Sequence, residues 1–248
     1  MIHAIYRHHW KFLLTLLSIA GSINIVTESA SALNITRLSS LGNSTTAANN
    51  FGAEIPAYDP ASRRLFVTGP NNRLDIADIS NPASPIRLPS LDLSSYGAGV
   101  NSVAIKNGIV AMEASQITNK GSVVFFNTNG VFESQVTVGT LPDMLTFTPD
   151  GNRVLVANEG EAKGGINPNS SVSIIDLSIS VLNATVNTAT FTGFNGQENT
   201  LRNQGVRIFP SQTVSQDVEP EYITVSDNGT TAWVSLQENN IVPILLWE

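Results

Sequence analysis

A strand, a tight polar turn, a second strand, a loop and a third strand recur four times along this chain, and repetition of one small unit admits few folds. The first unit reads IPAYDPASRRLFVTG (Ile55–Gly69) followed by LDIADIS (Leu74–Ser80). The second reads NSVAIKNGIVAMEA (Asn101–Ala114) followed by SVVFFNT (Ser122–Thr128). The third reads DMLTFTPDGNRVLVANE (Asp143–Glu159) followed by SVSIIDLS (Ser171–Ser178). The fourth reads EYITVSDNGTTAWVSLQE (Glu221–Glu238) followed by IVPILLWE (Ile241–Glu248). Pro149-Asp150-Gly151 and Asp227-Asn228-Gly229 supply turn residues that start a bend or accept positive φ. Starts near Ser102 and Met144 lie about 42 residues apart, close to the period of a four-stranded propeller blade. The fold class expected is therefore all-β, a partial β-propeller of about four blades. A β-sandwich with chance similarity between hairpins is the competing reading.

Strand composition supports stacked sheets. Val154-Leu155-Val156-Ala157 is apolar on both sides of the strand, as a sheet covered on both faces requires. The third unit carries a long insertion before the fourth. In it, Asn195-Gly196-Gln197-Glu198 reads as an N-cap with Glu at N3, and Gly205 as a stop, predicting one short, exposed helix.

The N-terminus reads as a leader. Arg7 and Lys11 precede the apolar run Phe12–Ala20, and Ala30-Ser31-Ala32 has the small-x-small form of a signal-peptidase site. The run is too short to cross about 30 Å of hydrocarbon as a helix. The organisation expected is a signal peptide at 1–32, a linker at 33–50 and an incomplete propeller at 51–248. Its blades fall near 51–96, 97–140, 141–216 and 217–248, and the mature chain has no membrane span.

Leader removal narrows the chemistry. The chain has no cysteine, and its three histidines (His3, His8 and His9) all precede Ala32. A mature chain without His or Cys has no Ser-His-Asp triad, no Cys-His dyad, no disulfide and no His- or Cys-ligated zinc. Any metal must be held by oxygen, which selects Ca²⁺, Mg²⁺ or Mn²⁺. A formal net charge of −7, with no run of Lys or Arg, argues against nucleic acid or an anionic membrane as partner.

Three stretches carry a family resemblance: Leu141–Glu161 (LPDMLTFTPDGNRVLVANEGE), Ser171–Leu177 (SVSIIDL) and Asp217–Asn240 (DVEPEYITVSDNGTTAWVSLQENN). They resemble the choice-of-anchor I proteins, related to sea-urchin mesenchyme-specific cell-surface glycoproteins, over about Phe51 to Asn240. The resemblance implies an exported β-propeller with an anchor that varies between members, and an extracellular or cell-surface partner. Alkaline-phosphatase-like and phytase-esterase-like labels in the family imply a rival, a metal-dependent phosphoesterase. The chain departs from the pattern after Asn240, where Pro243 interrupts the last strand and a closing strand and further blades are expected. The expectation is a truncated, open, aggregation-prone arc, whose fourth unit lacks its outer strand and leaves Trp233, Val234 and Leu236 less covered than their equivalents in unit three.

Propeller topology places the acids. Asp143 and Asp217–Glu221 precede first strands; Asn158, Glu159, Glu161, Gln237 and Glu238 follow second strands. In a four-stranded blade these loops open on one face, near the mouth of the channel. Carboxylates that converge repel unless a cation or proton compensates, so Glu159, Asp217, Glu219 and Glu221 are the candidate oxygen ligands for Ca²⁺ or another divalent cation. Glu161 and Glu238 read as solvated loop acids. The sequons at Asn34, Asn43, Asn183 and Asn228 are common patterns in Ser/Thr-rich chains, and Gly160, Gly164 and Gly165 lack phosphate-loop spacing. If the leader is cleaved where it reads, mass spectrometry of the exported protein finds Leu33 at its N-terminus. An intact Met1 on cytoplasmic protein contradicts it.

Overall fold

The computed structural model describes residues 11–13, 54–114 and 120–247. Most of the leader, the 33–50 linker and the sequons at Asn34 and Asn43 lie outside the described residues. Among the described residues, sixteen strands make four antiparallel sheets of four. Blade 1 is β2 (Pro56–Asp59), β3 (Arg64–Gly69), β4 (Arg73–Asp78) and β5 (Ile86–Asp92). Blade 2 is β6 (Val103–Lys106), β7 (Ile109–Ala114), β8 (Lys120–Asn127) and β9 (Phe132–Thr140). Blade 3 is β10 (Pro142–Phe147), β11 (Arg153–Asn158), β12 (Ser171–Asp176) and β13 (Thr185–Thr190). Blade 4 is β14 (Pro220–Val225), β15 (Thr231–Leu236) and β16 (Ile244–Leu246), with β1 (Lys11–Leu13) paired antiparallel to β16 as its outer strand.

Each of the first three blades is a meander in sequence order, and its first strand packs against the first strand of the next blade. The result is an open arc of sheets, all-β apart from short helices.

Three apolar cores fill the three spaces between the four blades. Phe66, Leu74 and Ile76 of blade 1 meet Val110, Val124 and Phe126 of blade 2. On its other face, blade 2 sends Ala111, Val123 and Phe125 to meet Val154, Val156 and Ile175 of blade 3. Blade 3 in turn sends Leu155, Ala157, Val172 and Ile174 against Ala232, Val234, Leu236 and Leu245 of blade 4. Alternation along a strand explains the pattern, because successive side chains point to opposite faces. The run Val154–Ala157 is uniformly apolar because it serves two cores at once.

The hairpins repeat their chemistry. In blade 3 the Thr148 N–H donates to the Arg153 carbonyl and the Gly151 N–H to the Thr148 carbonyl. In blade 4 the Ser226 N–H donates to Thr231 and the Gly229 N–H to Ser226 in the same way. Gly151 and Gly229 stand at φ 78° and 71°, where a Cβ is strained, so glycine closes both turns. Third strands of blades 1 and 3 end alike: Asp78 accepts from the Ser80 N–H and Asp176 from the Ser178 N–H, each at 2.8 Å. The Ser80 and Ser178 side chains, and then these backbone bonds, stabilise the ionised carboxylates and hold both below the usual carboxylate range.

Four expectations change. The outer strand of blade 4 is supplied by Lys11–Leu13, so that sheet is four-stranded in the full chain. That segment falls inside the stretch read as leader. Of the three side chains expected to be less covered, Trp233 is 37% exposed, but Val234 is fully buried and Leu236 nearly so. Alternation turns Val234 and Leu236 toward blade 3, and Trp233 and Tyr222 away from it.

The third difference is the helix at α1 (Glu198–Asn203), whose N-cap is Gln197 with no side-chain cap bond. The Asn195 side chain is engaged with Ser215 instead, accepting from its N–H at 3.0 Å. Nor is the helix a loose decoration. Its end is closed by the Val206 N–H donating to Leu201 and the Gly205 N–H donating to Arg202, and Leu201 and Val206 enter the core between blades 3 and 4. The fourth is α2 (Val214–Asp217), a short helix where a plain loop was expected.

Replacing Leu155 with Ala removes a side chain buried between two blades and is expected to cost about 2–5 kcal/mol in denaturant unfolding. Trp233→Ala, on the open face, is expected to cost about 1 kcal/mol. Equal losses would contradict the burial assignment.

Candidate functional site

Two bulges set the acids in place. The pairing of β10 with β11 shifts between Pro142 and Met144, leaving Asp143 as the extra residue. The pairing of β14 with β15 shifts between Pro220 and Tyr222, leaving Glu221 in the same position. A bulge re-aims the residue it inserts and bends the strand. Blades 3 and 4 thus each carry a carboxylate at the entry of the innermost strand, next to a proline that donates no ladder bond.

The loop after β11 brings a third acid to the same end. The Glu159 N–H donates to the Leu141 carbonyl at 2.9 Å and the Gly160 N–H to Thr140 at 3.2 Å, tying the loop to the residues just before β10. Gly160 stands at φ 68° with the Ser170 backbone 3.1 Å from where a Cβ would be, so only glycine passes there comfortably. Asn158, placed with the loop by its sequence position, is instead the fully buried end of β11. Its Nδ2 donates to Ser173 Oγ at 2.9 Å, and it packs against Gly139 of the neighbouring blade.

The acids interact electrically. Partial burial raises Glu159, and Asp143, Glu161, Glu219 and Glu221 add repulsion, bringing it to about 7 from an ordinary 4.5. Burial raises Glu219, with further repulsion from Glu238, Glu161, Asp217 and Glu221. Glu221 is raised by burial and then by Asp143 and Glu238, and Asp143 by burial. Residues of two blades therefore form one carboxylate-lined mouth. Among the described residues, no three of these acids stand close enough, as their side chains lie, to hold a metal ion.

The sequence-derived set divides. Glu159, Glu219 and Glu221 share the mouth. Asp217 is buried at the end of α2, where its Oδ2 accepts from the Phe209 N–H and from Asn239 Nδ2, both at 3.1 Å. Glu238 lies in an ion pair with Arg207. Two residues outside the set matter. Asp143 is one; its signal is a repeated Pro-acid step, Pro142-Asp143 and Pro220-Glu221. Asn239 is the other: its Nδ2 donates to the Arg207 carbonyl at 2.7 Å and its Oδ1 accepts from the Glu219 N–H at 3.4 Å, fastening the acidic segment to blade 4.

The model of the choice-of-anchor I domain family matches residues 54–245. No curated protein matches the sequence. Among solved structures the chain is similar to Kuenenia stuttgartiensis hydrazine synthase, at 15% identity and a TM-score of 0.52, over 73% of this chain and 48% of that one. This chain therefore spans about half the length of that structure, and at such identity the likeness is one of fold alone.

Because Glu159 takes up a proton more readily folded than unfolded, its contribution to stability is complete below 4.5 and lost as pH rises through about 7. The melting temperature is expected to fall from about pH 5 to about pH 8. Glu159→Gln should melt above the parent at the higher pH and near it at the lower. A Glu159→Gln curve parallel to the parent's would contradict the crowding of these acids.

Proposed function

We propose that the chain, which belongs to the choice-of-anchor I domain family, is an exported binding or scaffold domain whose carboxylate-lined mouth takes a divalent, oxygen-ligated cation. The observation that carries the reading is Glu159, raised to about 7 by partial burial first and then by four neighbouring carboxylates. Repulsion of that kind is relieved by a proton or by a cation, and a hard cation such as Ca²⁺ is met by oxygen ligands. Glu159, Glu219 and Glu221, with Asp143, are the acids proposed to turn toward it, bridging blades 3 and 4. Asp217 is proposed to support the site by fixing the segment that carries Glu219.

Export to the periplasm, the extracellular space or the cell surface is proposed from the leader reading and from the anchored character that the family's name conveys. Among the described residues no helix is long and apolar enough to cross a membrane. The phosphoesterase reading finds less support. Its phosphate clamp would need basic groups; Lys163, Arg202 and Arg207 are scattered in the sequence, and the two arginines are engaged elsewhere. Arg207 pairs with Glu238, while Arg202 donates to the Ile208 and Phe209 carbonyls at 2.8 Å each.

Calorimetric titration of Ca²⁺ at about pH 8, where the acids are ionised, should give saturable binding. Replacing Glu219 and Glu221 together with Gln should weaken it by about tenfold or more, well beyond the effect of Glu161→Gln. Bound Ca²⁺ should also raise the melting temperature of the parent. Equal, negligible effects from all of these variants would sink the reading. Release of phosphate from p-nitrophenyl phosphate, dependent on Ca²⁺, Mg²⁺ or Mn²⁺ and on Glu159, would replace it with the phosphoesterase.

A further inference from the structure

A second concavity lies behind the mouth, where the insertion of blade 3 meets the turn that follows β15. It has a volume of about 210 Å³ and is lined by Asn167, Phe209, Gln212, Gln216, Glu219 and Glu238. Blades 1 and 2 have no comparable insertion after their last strands, between β5 and β6 or between β9 and β10, so most of this wall is built from chain that follows blade 3 alone.

The walls are fixed before any ligand arrives. Leu201, Val206, Ile208, Val214 and Val218 root the insertion in the core between blades 3 and 4. Ser170 Oγ donates to the Ser215 carbonyl at 3.0 Å, and Ser215 Oγ to Asn169 Oδ1 at 3.0 Å, joining the insertion to the loop after β11. Asn167 Nδ2 donates to Gln212 Oε1 at 2.7 Å, and Gln216 Nε2 to the Asn167 carbonyl at 3.1 Å. Arg202 holds the carbonyls of Ile208 and Phe209, which sets the Phe209 ring at the rim, 55% exposed.

The chemistry of this wall is that of a cation receptor. An aromatic face carries negative electrostatic potential and attracts guanidinium or ammonium groups. The protein already uses that attraction here: the Arg207 guanidinium lies 5.4 Å from the centre of the Phe209 ring while pairing with Glu238. Asp217 and Glu219 line the same concavity, and Asp217 is closed on the Phe209 N–H and on Asn239 Nδ2, so Glu219 is the carboxylate that a ligand cation would meet. A volume of about 210 Å³ is below that of drug-sized pockets and suits one side-chain head group.

We infer that this concavity binds the guanidinium or ammonium group of a basic side chain presented by a polypeptide partner, over Phe209 and against Glu219. The site differs from the divalent-cation site proposed at the mouth, although Glu219 borders both.

The test titrates full-length protein with Nα-acetylarginine methylamide and with Nα-acetyllysine methylamide, whose only charge is the side chain. A chelator is present throughout, so that binding of divalent ions at the mouth contributes nothing. Saturable binding of at least one probe is expected, weakened about fivefold to tenfold by Phe209→Ala and by Glu219→Gln. Phe209→Leu keeps apolar volume without the aromatic face and should weaken it similarly. The absence of saturable binding of either probe overturns the inference. So does binding that survives both Phe209 variants but is lost in Glu159→Gln, which would place the cation at the mouth. A Ca²⁺ titration that fails while this one succeeds overturns the proposed function and leaves this site standing.

Discussion

Blades 2 and 3 are apolar on both faces, and most of the architecture follows from that. A sheet with water on one face alternates polar and apolar residues, whereas β11 and β12 carry Val154, Leu155, Val156, Ala157, Val172, Ile174 and Ile175 without interruption by charge. Such a sheet is stable only between two neighbours, each receiving alternate side chains. Burial of this apolar surface is the dominant favourable contribution to folding. Propeller geometry satisfies the demand by stacking sheets about their first strands, with one core in each gap.

Stacking by first strands also brings the functional groups together. Strands β10 and β14 lie side by side because their blades share a core, so any group inserted at their entry lies near its counterpart. Both strands begin with a proline followed by a bulged acid, and the loop after β11 is bonded back to the residues preceding β10. Apolar burial between the blades therefore works against the repulsion of Asp143, Glu159, Glu219 and Glu221. The raised affinity of Glu159 for protons comes first from its own partial burial and then from that repulsion.

The repeat, the hairpin turns and the end of the arc at which the acids gather were legible in the sequence, because each depends on local spacing. Alternation is legible in kind but not in phase: of the three residues expected to be less covered, Trp233 lies on the open face, while Val234 and Leu236 belong to the face that blade 3 covers. Phase is set by strand pairing, Ile223 with Val234 and Thr224 with Trp233, which a single strand does not display. Partnerships across the insertion were not legible either. Asn195 looked like a helix cap but serves Ser215, Asp217 looked like an exposed ligand but closes on Asn239, and Glu238 looked solvated but meets Arg207, 31 positions away. Side-chain bonds of that range depend on how the insertion folds back, and residue type alone does not encode it.

The account turns on whether acids from two blades repel one another at one mouth. The most direct measurement is an NMR titration of the side-chain carboxyl carbon of Glu159 in the folded protein. A midpoint near 7 is predicted, moving down toward the ordinary 4.5 when Asp143→Asn and Glu221→Gln are combined. A midpoint near 4.5 in the parent, or one indifferent to those two replacements, would contradict the convergence on which the proposed site depends.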